Sequence, residues 1–361
     1  MVIDAIKEKG ADFFVMQSGN ANFFYATKFR SSSMMFYIAG IDGTELLILP
    51  EMELRRSLRE SKVKEIASYE MLGYEEKIKE LKNPKMAIAE ILVQILKEGR
   101  AKKVVIPNDF PSFFAFVLQK NFEVEVIENP FTKLRAVKNS WEIAEIRENC
   151  QKIIQVFPKI IKIVQNNKKL LCEEVRNILE NELWIRGLIS EDTICSTGKL
   201  SADPHEVGSG EIEDHLLIDV FPRNRKGYYA DFTRTVIINQ NPELKEMLSA
   251  VIDAQKVAFR MLKEGVNGKD VHNAVKDELK SHGFETRKDE GFIHSTGHGI
   301  GLEIHEEPRI GDIDVELRSG MVVTVEPGLY YKNVGGVRVE DVVLIKKDGC
   351  EILTPFERFL A

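Results

Sequence analysis

The amino-acid sequence predicts an α+β protein that is built from two domains. Its 361 residues exceed what one hydrophobic core usually covers. Short apolar segments alternate with helical patterns over residues 1–130, which predicts a smaller N-terminal α/β domain. Over residues 131–361, pairs of helical patterns alternate with strand hairpins. The second part therefore predicts helices packed on one side of a mainly antiparallel sheet.

Strand-like segments such as FFVMQ, MMFYIAG and ELLILP define the N-terminal domain. Between them, KMAIAEILVQILKEG places apolar side chains at helical spacing and ends on Gly99, a typical helix stop. This part of the sequence contains no glycine-rich phosphate loop, no HExxH motif and no serine elbow. We therefore expect it to be a scaffold, a dimer surface or the wall of a substrate pocket.

The second domain is predicted to begin with a long helix. The segment 127–140 contains a proline and several polar residues, and Ser140 is expected to cap the helix that follows. Three further helices are predicted from apolar periodicity and glycine stops, over residues 171–187, 242–265 and 269–283. The hairpins that carry the chemistry lie between and after these helices.

Composition excludes several classes of function. The formal net charge of −7 argues against nucleic acid as the main partner. No apolar run approaches the roughly 18 to 20 residues of a membrane span, and the N-terminal MVIDAIKEKGADFF is too acidic for a signal peptide. We expect a cytoplasmic protein. Its cysteines stand singly without a CxxC pair, so they are predicted to be buried or free thiols.

Two aspartates stand where a buried hairpin normally carries apolar residues. The segment 216–236, LLIDVFPRNRKGYYADFTRTV, reads as two strands joined by a tight connection at NRKG. With the turn centred on Arg225, Asp219 and Asp231 are expected to lie opposite each other, about 5 Å apart. Two carboxylates at that distance require a shared proton, a nearby cation or a metal ion.

A second acidic hairpin follows in TVEPGLYYKNVGGVRVEDVV. Glu326 and Glu340 are centred on Asn333, one residue from the middle of the loop KNVGG, and we expect a bulge to absorb the difference. Four carboxylates cannot share a small site unless cations offset them. Oxygen ligands at this density suit one or two divalent ions.

Histidines are confined to the second half of the chain. Three of them lie in GFIHSTGHGIGLEIHEEP, namely His294, His298 and His305. The pair in HSTGH lacks the glutamate of a helical zinc site, and its intervening residues are poor helix formers. Glycines on both sides of His298 instead predict a loop or strand end that lies close to other backbone. We expect His294 to support His298, and His215, His272 and His282 to lie at exposed edges.

These motifs resemble the M24-type metallopeptidase family that contains Xaa-Pro dipeptidase (prolidase), aminopeptidase P and methionine aminopeptidase. The resemblance covers residues 200–343 and implies the pita-bread fold for the C-terminal domain. NANFFYATKF makes the N-terminal domain similar to the creatinase-type domain of prolidases and aminopeptidase P. The family's five metal ligands correspond in order to Asp219, Asp231 in ADFTRT, His298 in GHGIG, Glu326 in VEPG and Glu340 in VRVED.

The resemblance also implies a mechanism and further site residues. Asp231 and Glu340 would bridge two divalent ions, Mn²⁺ or Co²⁺ first and Zn²⁺ as an alternative, and a hydroxide between the ions would attack the peptide bond that precedes proline. Glu326 would take the proton of the attacking water. Substrate and intermediate would be contacted by two histidines, His205 in SADPHEVG and His305 in GLEIHEEP, and Arg338 would offset surplus acid charge. A homodimer is expected, as is common among relatives.

One feature of the sequence departs from the family pattern. The two aspartates are 231 − 219 = 12 positions apart rather than eleven, and Val-Phe-Pro-Arg follows Asp219. This difference bears on substrate preference more than on metal binding. The alternatives are a methionine aminopeptidase-like exopeptidase, which the extra N-terminal domain disfavours, and a non-catalytic pita-bread binding protein, which the complete ligand set disfavours.

Overall fold

The computed structural model describes residues 2–167, 169–239 and 241–359. The chain divides into two compact units, residues 1–135 and 136–361. Among the described residues, no helix combines the length and the apolar character that crossing a membrane requires.

The N-terminal unit is an α/β sandwich around one mixed sheet. Its strands are β1 (Phe13–Gln17), β2 (Phe36–Gly40), β3 (Glu45–Leu49), β4 (Glu65–Ser68), β5 (Lys103–Pro107) and β6 (Glu123–Ile127). Its helices are α1 (Val2–Glu8), α2 (Ala21–Thr27), α3 (Glu51–Glu60), α4 (Tyr74–Leu81), α5 (Pro84–Glu98), α6 (Ser112–Gln119) and α7 (Pro130–Ala136). The strand order is β4-β3-β2-β1-β5-β6. Alternate residues of β1 enter opposite cores, since Val15 packs with α5 and α6 while Phe14 and Met16 pack with α1 and α2.

The second unit begins with a long helix, as predicted. Its helices are α8 (Ser140–Asn166), α9 (Cys172–Ile185), α10 (Pro242–Met261) and α11 (Gly268–Ser281). Ser140 is the first helical residue rather than the cap. Asn139 caps α8 instead, because its side chain accepts from the backbone of Glu142 while the Glu142 carboxylate accepts from the backbone of Asn139.

Antiparallel pairing joins the strands described in this unit. They are β7 (Leu188–Ile189), β8 (Ile194–Ser196), β9 (His215–Val220), β10 (Arg223–Asn224), β11 (Phe232–Ile237), β12 (Gly297–Gly299), β13 (Glu306–Ile310), β14 (Val322–Val325), β15 (Gly328–Tyr331), β16 (Gly335–Arg338), β17 (Asp341–Lys346) and β18 (Gly349–Ile352). The orders are β11-β9-β8 and β13-β12-β14-β17-β18, with β15-β16 and β10-β7 as pairs. Buried apolar residues of α10 and α11 pack against β14 and β17, which holds the sheet that carries the second acidic hairpin.

Candidate metal centre

The first acidic hairpin has a different register from the one predicted. Asp219 pairs with Thr233, and Asp231 lies just before β11, so the two aspartates are diagonal neighbours rather than direct partners. The connection closes around Lys226 because the backbone of Asn224 donates to Tyr228 at 3.0 Å. Gly227 has a φ of +91°, which glycine adopts readily, and so permits a turn centred one residue later than predicted.

The second acidic hairpin has the predicted register. Gly328 pairs with Arg338 and Val325 with Asp341, so Glu326 and Glu340 occupy opposed positions between these pairs. The expected bulge is not needed. Gly335 already belongs to β16, and the loop shortens to residues 332–334, which are centred on Asn333.

His298 lies on the short strand β12, where its two glycines are required. A Cβ atom at Gly297 would lie 1.9 Å from the carbonyl oxygen of Thr324, and one at Gly299 would lie 2.2 Å from that of Glu307. The backbone of His298 donates to Oγ1 of Thr324 at 3.0 Å. The ring Nδ1 lies 3.1 Å from the carbonyl of Gly299, so in the neutral ring Nε2 keeps its lone pair for another partner.

These elements bring the predicted ligands together. Ligand atoms of Asp231, His298 and Glu340 all lie within 4.8 Å of one another, and all three residues are buried. Nε2 of His298 lies 3.3 Å from Oε1 of Glu326 and 3.8 Å from Oδ2 of Asp231. Asp219 is 8% exposed and acts electrostatically on Asp231 and Glu340.

The cluster is short of hydrogen-bond donors. Three of its buried carboxylate oxygens have no hydrogen-bond partner among the described residues, namely Oδ1 of Asp219, Oδ1 of Asp231 and Oε1 of Glu340. The other oxygen of Glu340 accepts from the Thr233 hydroxyl at 2.7 Å. Buried anionic oxygens without donors are costly unless a cation or a proton neutralises them. The residues present therefore fit divalent metal ions.

Electrostatics within the cluster support the same interpretation. Burial, together with repulsion from neighbouring carboxylates, raises the pKa of Asp231 and of Glu340 well above the ordinary range. Glu326 behaves differently. Burial opposes its ionisation, but the hydrogen bond and positive charge of protonated His298 prevail and lower the pKa of Glu326 to about 2. The same hydrogen bond raises the pKa of His298 against the effect of burial. Glu326 is thus ionised at neutral pH.

Arg338 connects one side of the cluster to a chain of hydrogen bonds. Its guanidinium donates to Oδ2 of Asp219 and to the hydroxyl of Tyr330, both at 2.6 Å. That hydroxyl lies 3.0 Å from Nε2 of His294, whose Nδ1 lies 2.8 Å from the carbonyl of Ser295. The carbonyl accepts a hydrogen bond from Nδ1–H, so Nε2 has a lone pair and accepts from the Tyr330 hydroxyl. Burial lowers the pKa of His294, which keeps the ring neutral for this role.

The two outer histidines lie beside the cluster. The His305 ring meets the His298 ring edge to face, with centroids 4.3 Å apart. Burial and then the charge of His298 lower the pKa of His305. His205 lies on a turn and acts electrostatically on both His294 and His305. The contact of both residues with substrate stays a prediction.

Other expectations were wrong or incomplete. His215 and His272 are buried at 0% and 4% exposure rather than lying at exposed edges. Thr233 and Tyr330, which contact predicted site residues directly, were missed. Strand alternation offered a signal for Tyr330, because Tyr330 stands two positions after Gly328, the residue that pairs with Arg338, and so lies on the same face of the hairpin.

Models of two known families match most of the chain. Residues 144–347 match the model of metallopeptidase family M24, and residues 2–137 match the Creatinase/Prolidase N-terminal domain. The Xaa-Pro dipeptidase of Pyrococcus furiosus is 32% identical over 329 residues, which cover 89% of this chain and 87% of that protein.

Solved structures of similar proteins span the whole architecture. The prolidase from Pyrococcus furiosus superposes with a TM-score of 0.84 at 28% identity, over 99% of this chain and 100% of that chain. The X-Pro aminopeptidase from Thermotoga maritima gives a TM-score of 0.82 at 27% identity, over 98% of both chains. The predicted α+β fold, a pita-bread domain preceded by a creatinase-type domain, is confirmed. Because the family model covers more than half of its residues, the chain is a member of metallopeptidase family M24.

Proposed function

We propose that this enzyme hydrolyses the peptide bond that precedes proline in short peptides. The observation that carries the proposal is the buried group of Asp231, His298 and Glu340, with its donor-free carboxylate oxygens. The similarity to an Xaa-Pro dipeptidase, a prolidase and an X-Pro aminopeptidase supports the choice of substrate.

Two divalent cations would be held by Asp219, Asp231, His298, Glu326 and Glu340. Carboxylates with a single imidazole suit Mn²⁺ or Co²⁺, and Zn²⁺ is an alternative. When bound, such ions lower the pKa of a water molecule to produce a hydroxide nucleophile and polarise the scissile carbonyl. The protein's own contribution is to bury Asp219, Asp231 and Glu340 and to keep one buried cation, Arg338, against Asp219.

Proton transfer falls to residues that line the cluster. Glu326 is ionised and 16% exposed at its side chain, so its carboxylate can accept the proton of the attacking water. His305 and His205 would contact the substrate and stabilise the oxygen that becomes negative during attack. Arg338 offsets the negative charge that accumulates beside Asp219.

A basic cavity next to His294 favours substrates with a free carboxylate. The cavity has a volume of about 420 Å³, and His294 forms part of its wall. One acidic side chain, Asp312, lines the cavity. Four cationic side chains also line it, namely Lys276, Arg287, Lys288 and Arg309. His294 also lies 4.0 Å from Glu326, so it borders both the cavity and the cluster. We propose that the C-terminal carboxylate of a bound dipeptide is held by these cations. This arrangement supports Xaa-Pro dipeptides over longer peptides.

A metal-reconstituted assay tests the proposal. The protein, stripped with chelator and supplied with Mn²⁺ or Co²⁺, is compared on Xaa-Pro dipeptides, Xaa-Pro-Yaa tripeptides and Met-Ala-Yaa peptides. We expect hydrolysis of the first class, its loss on chelation and its return with metal. Preference for Met-Ala-Yaa would favour the methionine aminopeptidase alternative, and full activity in protein shown to contain no transition metal would overturn the metal mechanism. The homodimer stays a prediction that light scattering can check. The cytoplasmic location stays a prediction that cell fractionation can check.

A further inference from the structure

One buried serine hydroxyl joins three segments of the second unit. Ser201 is 1% exposed and lies in a short 3-10 helix, Gly198–Ala202. Its Oγ lies 2.6 Å from the carbonyl of Gly198, 2.8 Å from Nε2 of His215 and 2.8 Å from the backbone nitrogen of Gly336. A hydroxyl has one proton and two lone pairs, so these three contacts use its whole capacity.

The contacts also determine the direction of each hydrogen bond. The carbonyl of Gly198 can only accept, so Ser201 donates to it. The backbone N–H of Gly336 can only donate, and Nε2 of His215 must then donate as well. Burial lowers the pKa of His215 to about 4, which keeps the ring neutral with its proton on Nε2. Nδ1 of His215 has no partner among the described residues, in agreement with this tautomer.

Strand β16 packs closely against Ser201. A Cβ atom at Gly336 would lie 2.0 Å from the carbonyl oxygen of Ser201. At Gly335, whose φ is +126°, a Cβ atom would lie 2.9 Å from both the Ser201 hydroxyl and the His215 ring. Only glycines allow β16 to approach the 3-10 helix this closely.

Each of the three segments leads to a predicted site residue. His215 begins β9, which carries Asp219, and Gly336 lies on β16, which carries Arg338. The 3-10 helix leads directly into Pro204 and His205, and the carbonyl of Pro204 accepts from the Arg338 guanidinium at 3.3 Å. Beyond His205, the chain is held again by Arg176, which donates to the carbonyls of Val207 and Gly208 at 2.5 and 2.6 Å.

We infer that Ser201 is a positioning residue that holds the His205 turn in register with the strands of Asp219 and Arg338. The inference rests on the proposed function for the role of His205. Through its hydroxyl, Ser201 sets where His205 stands relative to the cluster. Its hydrogen bonds within the described part of the chain go to Gly198, His215 and Gly336, none of which is a predicted metal ligand. Its loss should therefore impair catalysis without releasing metal.

Ser201→Ala is the direct test, and Ser196→Ala is its matched control. Ser196 is equally buried, but its hydroxyl has no partner among the described residues. We expect Ser201→Ala to lower kcat/KM about tenfold with full metal content, and Ser196→Ala to stay within about twofold of wild type. In a His205→Ala background, the effect of Ser201→Ala should shrink to about twofold or less, because a residue that acts through His205 has nothing left to position. An undiminished tenfold effect in that background would overturn the inference.

Amide hydrogen exchange tests the same inference without any substrate. Exchange at Gly336 and across residues 199–208 should accelerate in Ser201→Ala and remain as in wild type in Ser196→Ala. If wild-type protein cleaves no Xaa-Pro peptide, the proposed function fails while this measurement still decides the role of Ser201. Unchanged exchange at Gly336 would refute it. If Ser201→Ala does not fold, two variants of His215 replace it. His215→Gln keeps an N–H donor, so it should retain more exchange protection at Gly336 than His215→Leu. Equal protection in both variants would count against the inference.

Discussion

The guanidinium of Arg338 donates a 2.6 Å hydrogen bond to Oδ2 of Asp219, while Oδ1 of the same carboxylate has no partner among the described residues. One half of Asp219 is thus neutralised by the protein, and the other half is available to a metal ion. Arg338 is 3% exposed, so solvent does little to screen its charge. Its positive charge favours the ionised form of two neighbouring carboxylates, Asp231 and Glu340.

Arg338→Gln should therefore shift the pH dependence of metal binding. Arg338 lowers the pKa of both Asp231 and Glu340, so its removal raises these already raised values further. Metal binds the ionised carboxylates, so the pH at which Mn²⁺ affinity is half lost should move upward. Calorimetric titration across pH measures this shift, with the exposed Arg318→Gln as control. An unchanged midpoint would show that Arg338 does not tune these acids.

Asp231→Asn should reduce metal content to one ion or none per chain. The proposed bridging carboxylate becomes a neutral amide, which weakens the hold on both ions at once. Elemental analysis after dialysis gives the stoichiometry, and Asp253→Asn on α10 serves as control for loss of a partly exposed aspartate. Two ions retained in Asp231→Asn would mean that Asp231 does not bridge.

His298→Ala and His305→Ala should fail in different ways. His298 has its Nε2 among the carboxylates, so its loss should release metal. His305 packs against the His298 ring and is not a proposed ligand, so His305→Ala should keep two ions and lose about 2–4 kcal/mol of transition-state stabilisation.

Thermal unfolding with and without metal separates these effects from a folding defect, because metal stabilises only a variant that binds it. The assignment is reversed if His305→Ala is the variant that metal does not stabilise.

His215 should make the metal-free protein sensitive to acid. Burial lowers its pKa from 6.5 to about 4, although the charge of Asp214 opposes the shift. Between pH 6.5 and pH 4, His215 is protonated in the unfolded chain but stays neutral in the folded chain. Its contribution to the free energy of unfolding is therefore complete above pH 6.5 and is lost as pH falls towards 4. The full loss is about 3 kcal/mol.

Urea unfolding of chelated wild type and His215→Gln should show the difference. The difference in free energy of unfolding between wild type and His215→Gln should shrink as pH falls from 7 to 4. The corresponding difference for a His282→Gln control, at the end of α11, should show no comparable change. A difference between wild type and His215→Gln that stays constant with pH would contradict the buried neutral imidazole.

Much of the chemistry was predictable because it depends on local patterns. The hairpins, the helices and the glycine-flanked His298 follow from alternation, periodicity and glycine content, which act over a few residues. The register of the Glu326–Glu340 hairpin was predictable for the same reason, since its two arms are nearly symmetrical about Asn333. The register of the Asp219–Asp231 hairpin was not, because it depends on the backbone conformation at Gly227.

The amino-acid sequence by itself determined which acids and histidines are available and in what order they follow one another. Only the tertiary structure decided which of them meet. The backbone of Glu340 donates to the carbonyl of Thr233 at 3.0 Å, and this bond joins the two acidic hairpins across more than 100 residues of chain. The burial of His215 against Ser201 has the same origin. Contacts between distant segments arise from the packing of whole strands and helices, and a local pattern contains no information about which strand edges will pair.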